Sequence, residues 1–316
     1  MAYKPMTFDR KTAKVARYWD EVKGGARGTP ISLQVALCDA CFNRCIMCGH
    51  PDRPKMHRMD VHKWLEKLDF FAARGVESVC YSGGDPMAYT DFNLVMASHV
   101  ELGVAFGMTI TGYVPPTIDL ALLAEANWVR VSLDAVTPHI YEKVRGKVPV
   151  EKVLDSIQRM CDEDVNVALG ITLHADNIID LDNVLAYAAK MGITDIETHH
   201  IEPDSGPKAI RVPEKWERKI EPFQNCHAAL YQLYIDAQGD VYPCCITAGD
   251  AHSTPQAYPV GNIWRQGWDF EIWPAVIKYS QLSYRELPPV CRECCIQRLS
   301  QINSICGQLT EGQNFF

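Results

Sequence analysis

Apolar and polar positions alternate between strand and helix periods through most of the chain. An apolar run at 31–37 reads as a buried strand. Over 59–74, Val61, Leu65, Leu68 and Ala72 fall at helical spacing, and Gly75 ends the helix. Residues 76–81 predict a second strand, which turns sharply at 82–86. A helix over 91–102 closes at Gly103, a strand follows over 104–110, and 118–126 predicts a short helix. Residues 128–134 alternate as a fourth strand. The pattern continues with a helix over 150–162 (Val153, Ile157 and Met160 at helical spacing), a strand over 165–173, a helix over 178–190 and a strand over 193–201. Alternation on this scale predicts an α/β fold with parallel strands. Its β/α units stop two short of a full eight-fold barrel.

The alternation then ends. Residues 202–225 carry Pro203, Pro207, Pro213 and Pro222 among charges and read as a linker. Beyond it, 231–236 and 240–242 flank an Ala-Gln-Gly turn, a hairpin signal, and 269–279 and 292–305 predict helices. The organisation expected is therefore a lead-in at 1–30 with a loop at 23–28, a β/α core at 31–201, the linker, and a small α+β, cysteine-rich domain at 226–316.

Composition narrows the class. The 316 residues are 47% hydrophobic and 22% charged, as in a globular protein. No apolar run is long enough to span a membrane, and the N-terminus lacks the apolar core of a signal peptide, so a cytoplasmic protein is expected. A net charge of −8 without a basic run argues against nucleic acid as a partner. The 13 cysteines are too few for a disulfide scaffold and fall mainly towards the two ends of the chain, which points to metal binding.

The first group is Cys41-Phe-Asn-Arg-Cys45-Ile-Met-Cys48, on a loop leaving the first strand. Three thiols in so short a stretch can converge on one iron–sulfur centre. Three ligands to four irons leave one iron open to a reacting molecule, as a catalytic zinc keeps one position free. A plain zinc site is the alternative reading of the motif alone.

Cys-x3-Cys-x2-Cys after a first strand resembles the signature of the radical S-adenosylmethionine (radical SAM) enzymes. The resemblance implies an open (β/α)6 partial barrel and a [4Fe-4S] cluster held by Cys41, Cys45 and Cys48, whose fourth iron binds SAM. An electron from the cluster then cleaves SAM to methionine and a 5′-deoxyadenosyl radical that takes a hydrogen atom from the substrate. A reductase such as flavodoxin or ferredoxin would supply the electron. Gly83-Gly84-Asp85-Pro86, at the end of the second strand where β/α barrels carry their sites, resembles the family's Gly-Gly-Glu-Pro motif, with Asp in place of Glu. Ser132 and Asp134 end the fourth strand and resemble the groups that meet the ribose or carboxylate of SAM; alternation would put both on one face with Arg130. Thr109, Thr111, Thr172 and His199 are further candidates to line the site. Met47 departs from the aromatic usual before the third cysteine, and its polarizable side chain can replace that packing beside the adenine.

The second group is Cys226, Cys244 and Cys291-Arg-Glu-Cys294, with Gly239 in the turn between the first two. It resembles the Twitch form of the SPASM domain, which implies a second, auxiliary [4Fe-4S] cluster. A structural four-thiolate zinc site has equally acceptable spacing. The vicinal pairs Cys244-Cys245 and Cys294-Cys295 leave the register open by one residue. Cys245 and Cys295 are also the candidates to donate a hydrogen atom to a substrate radical.

The expected reaction is epimerisation or dehydrogenation of a small hydroxylated or amino-bearing substrate, such as a sugar or aminocyclitol. Modification of a ribosomally made peptide is the alternative, disfavoured because only a short lead-in precedes the core. A non-enzymatic iron–sulfur or zinc protein is the reading from another class.

Overall fold

A computed structural model describes residues 17–48, 57–200, 225–248, 258–283, 285–288 and 291, with His199 and His200 described in backbone only. Its contacts divide the chain into two compact units.

The described part of the first unit comprises 36–66 and 79–200. It holds a parallel sheet in the order β6-β5-β4-β3-β2, built from β2 (Ser78–Ser82), β3 (Ala105–Ile110), β4 (Trp128–Ser132), β5 (Val167–Leu173) and β6 (Ile196–His200). The register runs Thr109↔Arg130, Ser132↔Gly170 and Thr172↔His199. Helices Phe92–Leu102, Leu120–Ala124, Val150–Asp162 and Leu181–Lys190 follow the strands as the periodicity predicts. One helix has no counterpart in that reading: α4, Pro138–Arg145, between β4 and Val150–Asp162.

The strands alternate as the pattern requires. In β4, Val129 and Val131 are fully buried, while Trp128, Arg130 and Ser132 on the other face are half-buried. Helix Val150–Asp162 buries Val153, Ile157 and Met160 completely. Each such side chain contributes about 1.5–3 kcal/mol when removed from water. Its Ser156 is also buried, accepting from the Val114 amide at 3.1 Å and donating to the Lys152 carbonyl at 2.8 Å, so the polar group is fully used.

A buried polar chain also crosses this unit. Trp64 Nε1 donates to the Tyr81 hydroxyl at 3.2 Å, and that hydroxyl meets His99 Nε2 at 2.7 Å. His99 Nδ1 lies 2.9 Å from the Val104 carbonyl. A carbonyl can only accept, so Nδ1 carries the hydrogen and Nε2 accepts from Tyr81.

The described part of the second unit comprises 17–35, 67–78 and the described residues from 225 onward. Here β1 (Ser32–Ala36) pairs in parallel with β7 (Gln232–Ile235), which forms the expected hairpin with β8 (Asp240–Tyr242). A two-residue strand, Gly261–Asn262, extends it. The predicted helix at 269–279 begins as a π turn, Trp268–Ile272, and continues as an α-helix, Trp273–Ser280. Trp268 packs edge-on against Phe71 with centroids 4.8 Å apart, and its indole donates to the Gly28 carbonyl at 2.8 Å. Trp273 donates likewise to the Gly25 carbonyl at 2.8 Å, so both large rings are buried with their N–H groups satisfied. The helix expected over 292–305 lies outside the described residues.

Candidate functional site

The cysteine loop leaves β1 and is fixed from two sides within the first unit. On one side, the Met59 amide donates to the Leu37 carbonyl at 2.9 Å and the Asp39 amide to the His57 carbonyl at 3.0 Å. The carboxylate of Asp39 also meets His57 Nδ1 at 2.8 Å. On the other side stands the C-terminal end of α4. The Arg44 amide donates to the Arg145 carbonyl at 3.1 Å and the Ile46 amide to the Val144 carbonyl at 3.0 Å. Buried Asn43 completes the anchor, donating to the Tyr141 hydroxyl at 3.2 Å and accepting from the Val148 amide at 3.0 Å.

The Gly83-Gly84-Asp85-Pro86 turn is stitched to the start of the same loop. Gly84 donates to the Cys38 carbonyl at 3.1 Å and Asp85 to the Ala40 carbonyl at 2.7 Å. Gly83 has φ +109°, a conformation that favours glycine. At Gly84 the constraint is space: a Cβ there would stand 2.1 Å from the Ala40 carbonyl oxygen and 2.5 Å from that of Asp39. The Asp85 carboxylate faces inward. It accepts from the amides of Met87 at 2.9 Å and Thr111 at 3.1 Å, and from the Thr111 hydroxyl. Burial pushes its pKa up to about 6 against the pull of these donors. Asp85 therefore shapes the turn with its side chain, whereas the sequence reading assigns it to the ligand. Pro86 is buried in the helical turn that Asp85 caps.

Ser132 and Arg130 lie half-buried on one face of β4, and Asp134 lies two residues past the end of the strand. The Asp134 side chain is wholly buried. Its Oδ2 pairs with Arg145 Nε at 2.6 Å, and its Oδ1 accepts from the Thr172 amide at 2.7 Å. Arg145 Nη1 lies 3.6 Å from Cys45 Sγ. Burial opposes the guanidinium charge, yet Asp134 and Cys45 together hold the Arg145 pKa above its ordinary value. Thr109 receives a hydrogen bond from Arg130 Nη2 at 3.1 Å, and Arg130 also pairs with Glu197. Thr172 stands beside His199 in the register, and Met47 is half-buried on the cysteine loop. His174, just past β5, is buried with Nε2 unpartnered among the described residues, an orphan that suits a polar ligand atom.

The donors suit an iron–sulfur cluster. Burial pushes the Cys41 thiol up to about 12, and the charges of Asp85, Cys45 and Cys48 add to it. Burial likewise raises Cys45 against the pull of Arg145. Thiols gathered this way need cationic metal to stay ionised. Among the described residues no three metal-ligating side chains converge on a single ion.

The second group gathers around Tyr279 in the second unit. Its hydroxyl lies 3.1 Å from Cys291 Sγ, and Cys291, Cys226 and Cys244 all act on it electrostatically. Asn225 brings Cys226 there by donating to the carbonyls of Gln281 and Leu282, both at 3.0 Å. Of the vicinal pair, Cys244 joins this group; its amide donates to Thr247 Oγ1 at 3.2 Å. Cys245 is of intermediate exposure. Cys294 and Cys295 lie outside the described residues. The residues that sequence reasoning missed are Asn43, Tyr141, Arg145, His174 and Tyr279.

The family model for the radical SAM superfamily matches residues 35–188, and that for an iron–sulfur cluster-binding domain, SPASM, matches residues 226–295. A PqqA peptide cyclase of Methylobacterium sp. is 27% identical over 84% of this chain and 78% of its own length. A PqqA peptide cyclase of Ruegeria pomeroyi is 24% identical over 53% of this chain, and the match spans only 46% of that relative. SuiB of Streptococcus suis, crystallised with S-adenosylmethionine, shares the fold with a TM-score of 0.65 at 14% identity, over 86% of this chain and 72% of that one. The cofactors these domains carry are a SAM-binding [4Fe-4S] cluster, auxiliary iron–sulfur centres and SAM. The chain belongs to the radical SAM superfamily and bears a SPASM domain C-terminal to its SAM-binding core.

Proposed function

We propose that this radical SAM enzyme acts on a peptide and forms a new bond within it. One observation carries the reading: the Methylobacterium relative named as a peptide cyclase matches over 84% of this chain, a span that requires the SPASM region as well as the core. SuiB, whose fold is similar, has been crystallised with its precursor peptide SuiA. The expected small hydroxylated substrate, and with it sugar epimerisation or dehydrogenation, gives way to this reading.

In the proposal Cys41, Cys45 and Cys48 hold the SAM-binding cluster, and Cys226, Cys244, Cys291 and Cys294 hold the auxiliary one. When bound, cluster and SAM supply a 5′-deoxyadenosyl radical able to take a hydrogen atom from the peptide. The chain's own residues orient the parts. Gly83 and Gly84 let the backbone of their turn run against the cysteine loop, Asp85 fixes that turn to Thr111, and Arg145 holds the loop to Asp134. Closing a bond removes two hydrogens from the peptide, one to the deoxyadenosyl radical and one as a proton and an electron. The electron needs an acceptor, and a cluster held by Cys226, Cys244, Cys291 and Cys294 would supply one. Because the radical ends in a bond, no thiol is required to quench it, and Cys245 and Cys295 have no necessary part.

The test uses reduced holoenzyme with SAM and synthetic peptides encoded beside its gene, compared with a panel of sugars and aminocyclitols. A peptide lighter by two hydrogens, with matching 5′-deoxyadenosine, supports the reading. Turnover of a sugar with every peptide unchanged overturns it.

A further inference from the structure

Tyr279 lies on the Trp273–Ser280 helix and is 7% exposed. Its hydroxyl is 3.1 Å from Sγ of Cys291, itself 8% exposed. Both atoms can donate in the free protein, but a cysteine bound to iron is a thiolate and has no hydrogen to give. The phenol is then the donor. The surroundings favour this arrangement, because the same hydroxyl faces the charges of Cys226 and Cys244 as well as Cys291. The one acceptor within hydrogen-bond distance among the described residues is Cys291 Sγ.

Hydrogen bonds to cluster sulfurs help to set the reduction potential. A donor aimed at a ligand thiolate offsets negative charge, and the reduced cluster carries one more negative charge than the oxidised one. The bond therefore stabilises the reduced state more. We infer that the Tyr279 hydroxyl hydrogen-bonds to the Cys291 thiolate and raises the potential of the auxiliary cluster, making it a better electron acceptor. Tyr279 is a positioning and tuning residue, since it reaches the iron only through Cys291. The inference rests on the assignment of Cys226, Cys244 and Cys291 as cluster ligands. It is independent of whether the substrate is a peptide.

The experiment is an EPR-monitored redox titration in the full chain carrying Cys41→Ala/Cys45→Ala/Cys48→Ala, so that only the auxiliary signal is read. Tyr279→Phe should keep the iron content and shift the midpoint to more negative potential. Tyr279→3-fluorotyrosine keeps the ring and strengthens the donor, and should shift it the other way. If Tyr279→Phe fails to fold or loses its iron, the fluorotyrosine variant decides. An unmoved midpoint in the variants that retain iron overturns the hydrogen bond. The ligand assignment is tested separately: if Cys226→Ala/Cys244→Ala/Cys291→Ala, placed in the same background, retains the iron, the assignment falls and the inference with it.

Discussion

Asp134 and Arg145 form a buried ion pair, Oδ2 to Nε at 2.6 Å, with side chains 0% and 9% exposed. The same guanidinium reaches Cys45 Sγ at 3.6 Å. Arg145→Met would leave a buried carboxylate without its counter-charge, and this should cost about 3–5 kcal/mol. Anaerobic denaturant unfolding measures it. Adding Asp134→Asn should recover much of the loss; a double variant no more stable than the single one would show that the charge pair is not its source.

Gly84 admits no side chain. The atoms that a Cβ would meet, the carbonyl oxygens of Ala40 and Asp39, are backbone of the cysteine loop and cannot rotate aside. Gly84→Ala should destabilise the protein by about 1–3 kcal/mol. It should also lower the iron bound after reconstitution, because the loop has to shift. Iron analysis beside an unfolding curve separates the two effects.

Removing one set of thiols should remove one centre. Cys41→Ala/Cys45→Ala/Cys48→Ala is expected to keep about half the iron of the wild type and to lose the response of its EPR spectrum to SAM. If it loses all iron and retains zinc, the C-terminal thiols form a structural site instead.

Acid should weaken the first unit through His99. Burial lowers its pKa to about 4, from 6.5 in the unfolded chain, with only the Val104 carbonyl pulling the other way. Its stabilising contribution is thus present at neutral pH and lost as pH falls from 6.5 towards 4, because the unfolded chain binds the proton first. Between pH 7 and pH 5 the loss is about 2 kcal/mol. Denaturant unfolding of wild type and His99→Gln at the two values checks it: the variant should be less stable at pH 7 and lose less on acidification.

Much of this was legible in the sequence. The six strands, the hairpin and the two cysteine groups follow from periodicity and spacing. Helix α4 did not, because Pro138–Arg145 is short and largely polar, and it buries Ile140, Tyr141, Val144 and Arg145 without a long apolar stripe. Its boundary signals were present: Pro138 at the first helical position and Gly146 just past the end. Asp134 illustrates a different limit. The pattern places it at a strand end, but nothing local ties it to Arg145, eleven positions further on. Tyr279 could be placed in a helix from the pattern, but no local signal ties it to Cys291, twelve positions further on.

The anchoring of the cysteine loop by α4 also bears on the order of events during synthesis. Asn43 bonds to residues 98 and 105 positions later, and Cys45 to one 100 positions later. As the chain emerges from the ribosome, the side of the loop held by His57 and Met59 can therefore form well before the side held by α4. The anchoring of Asn43, Arg44 and Ile46 is complete only once α4 and Val148 have been made. A chain that stops short of Val148 thus carries all three thiols of this loop but only one of the two sides that fix it.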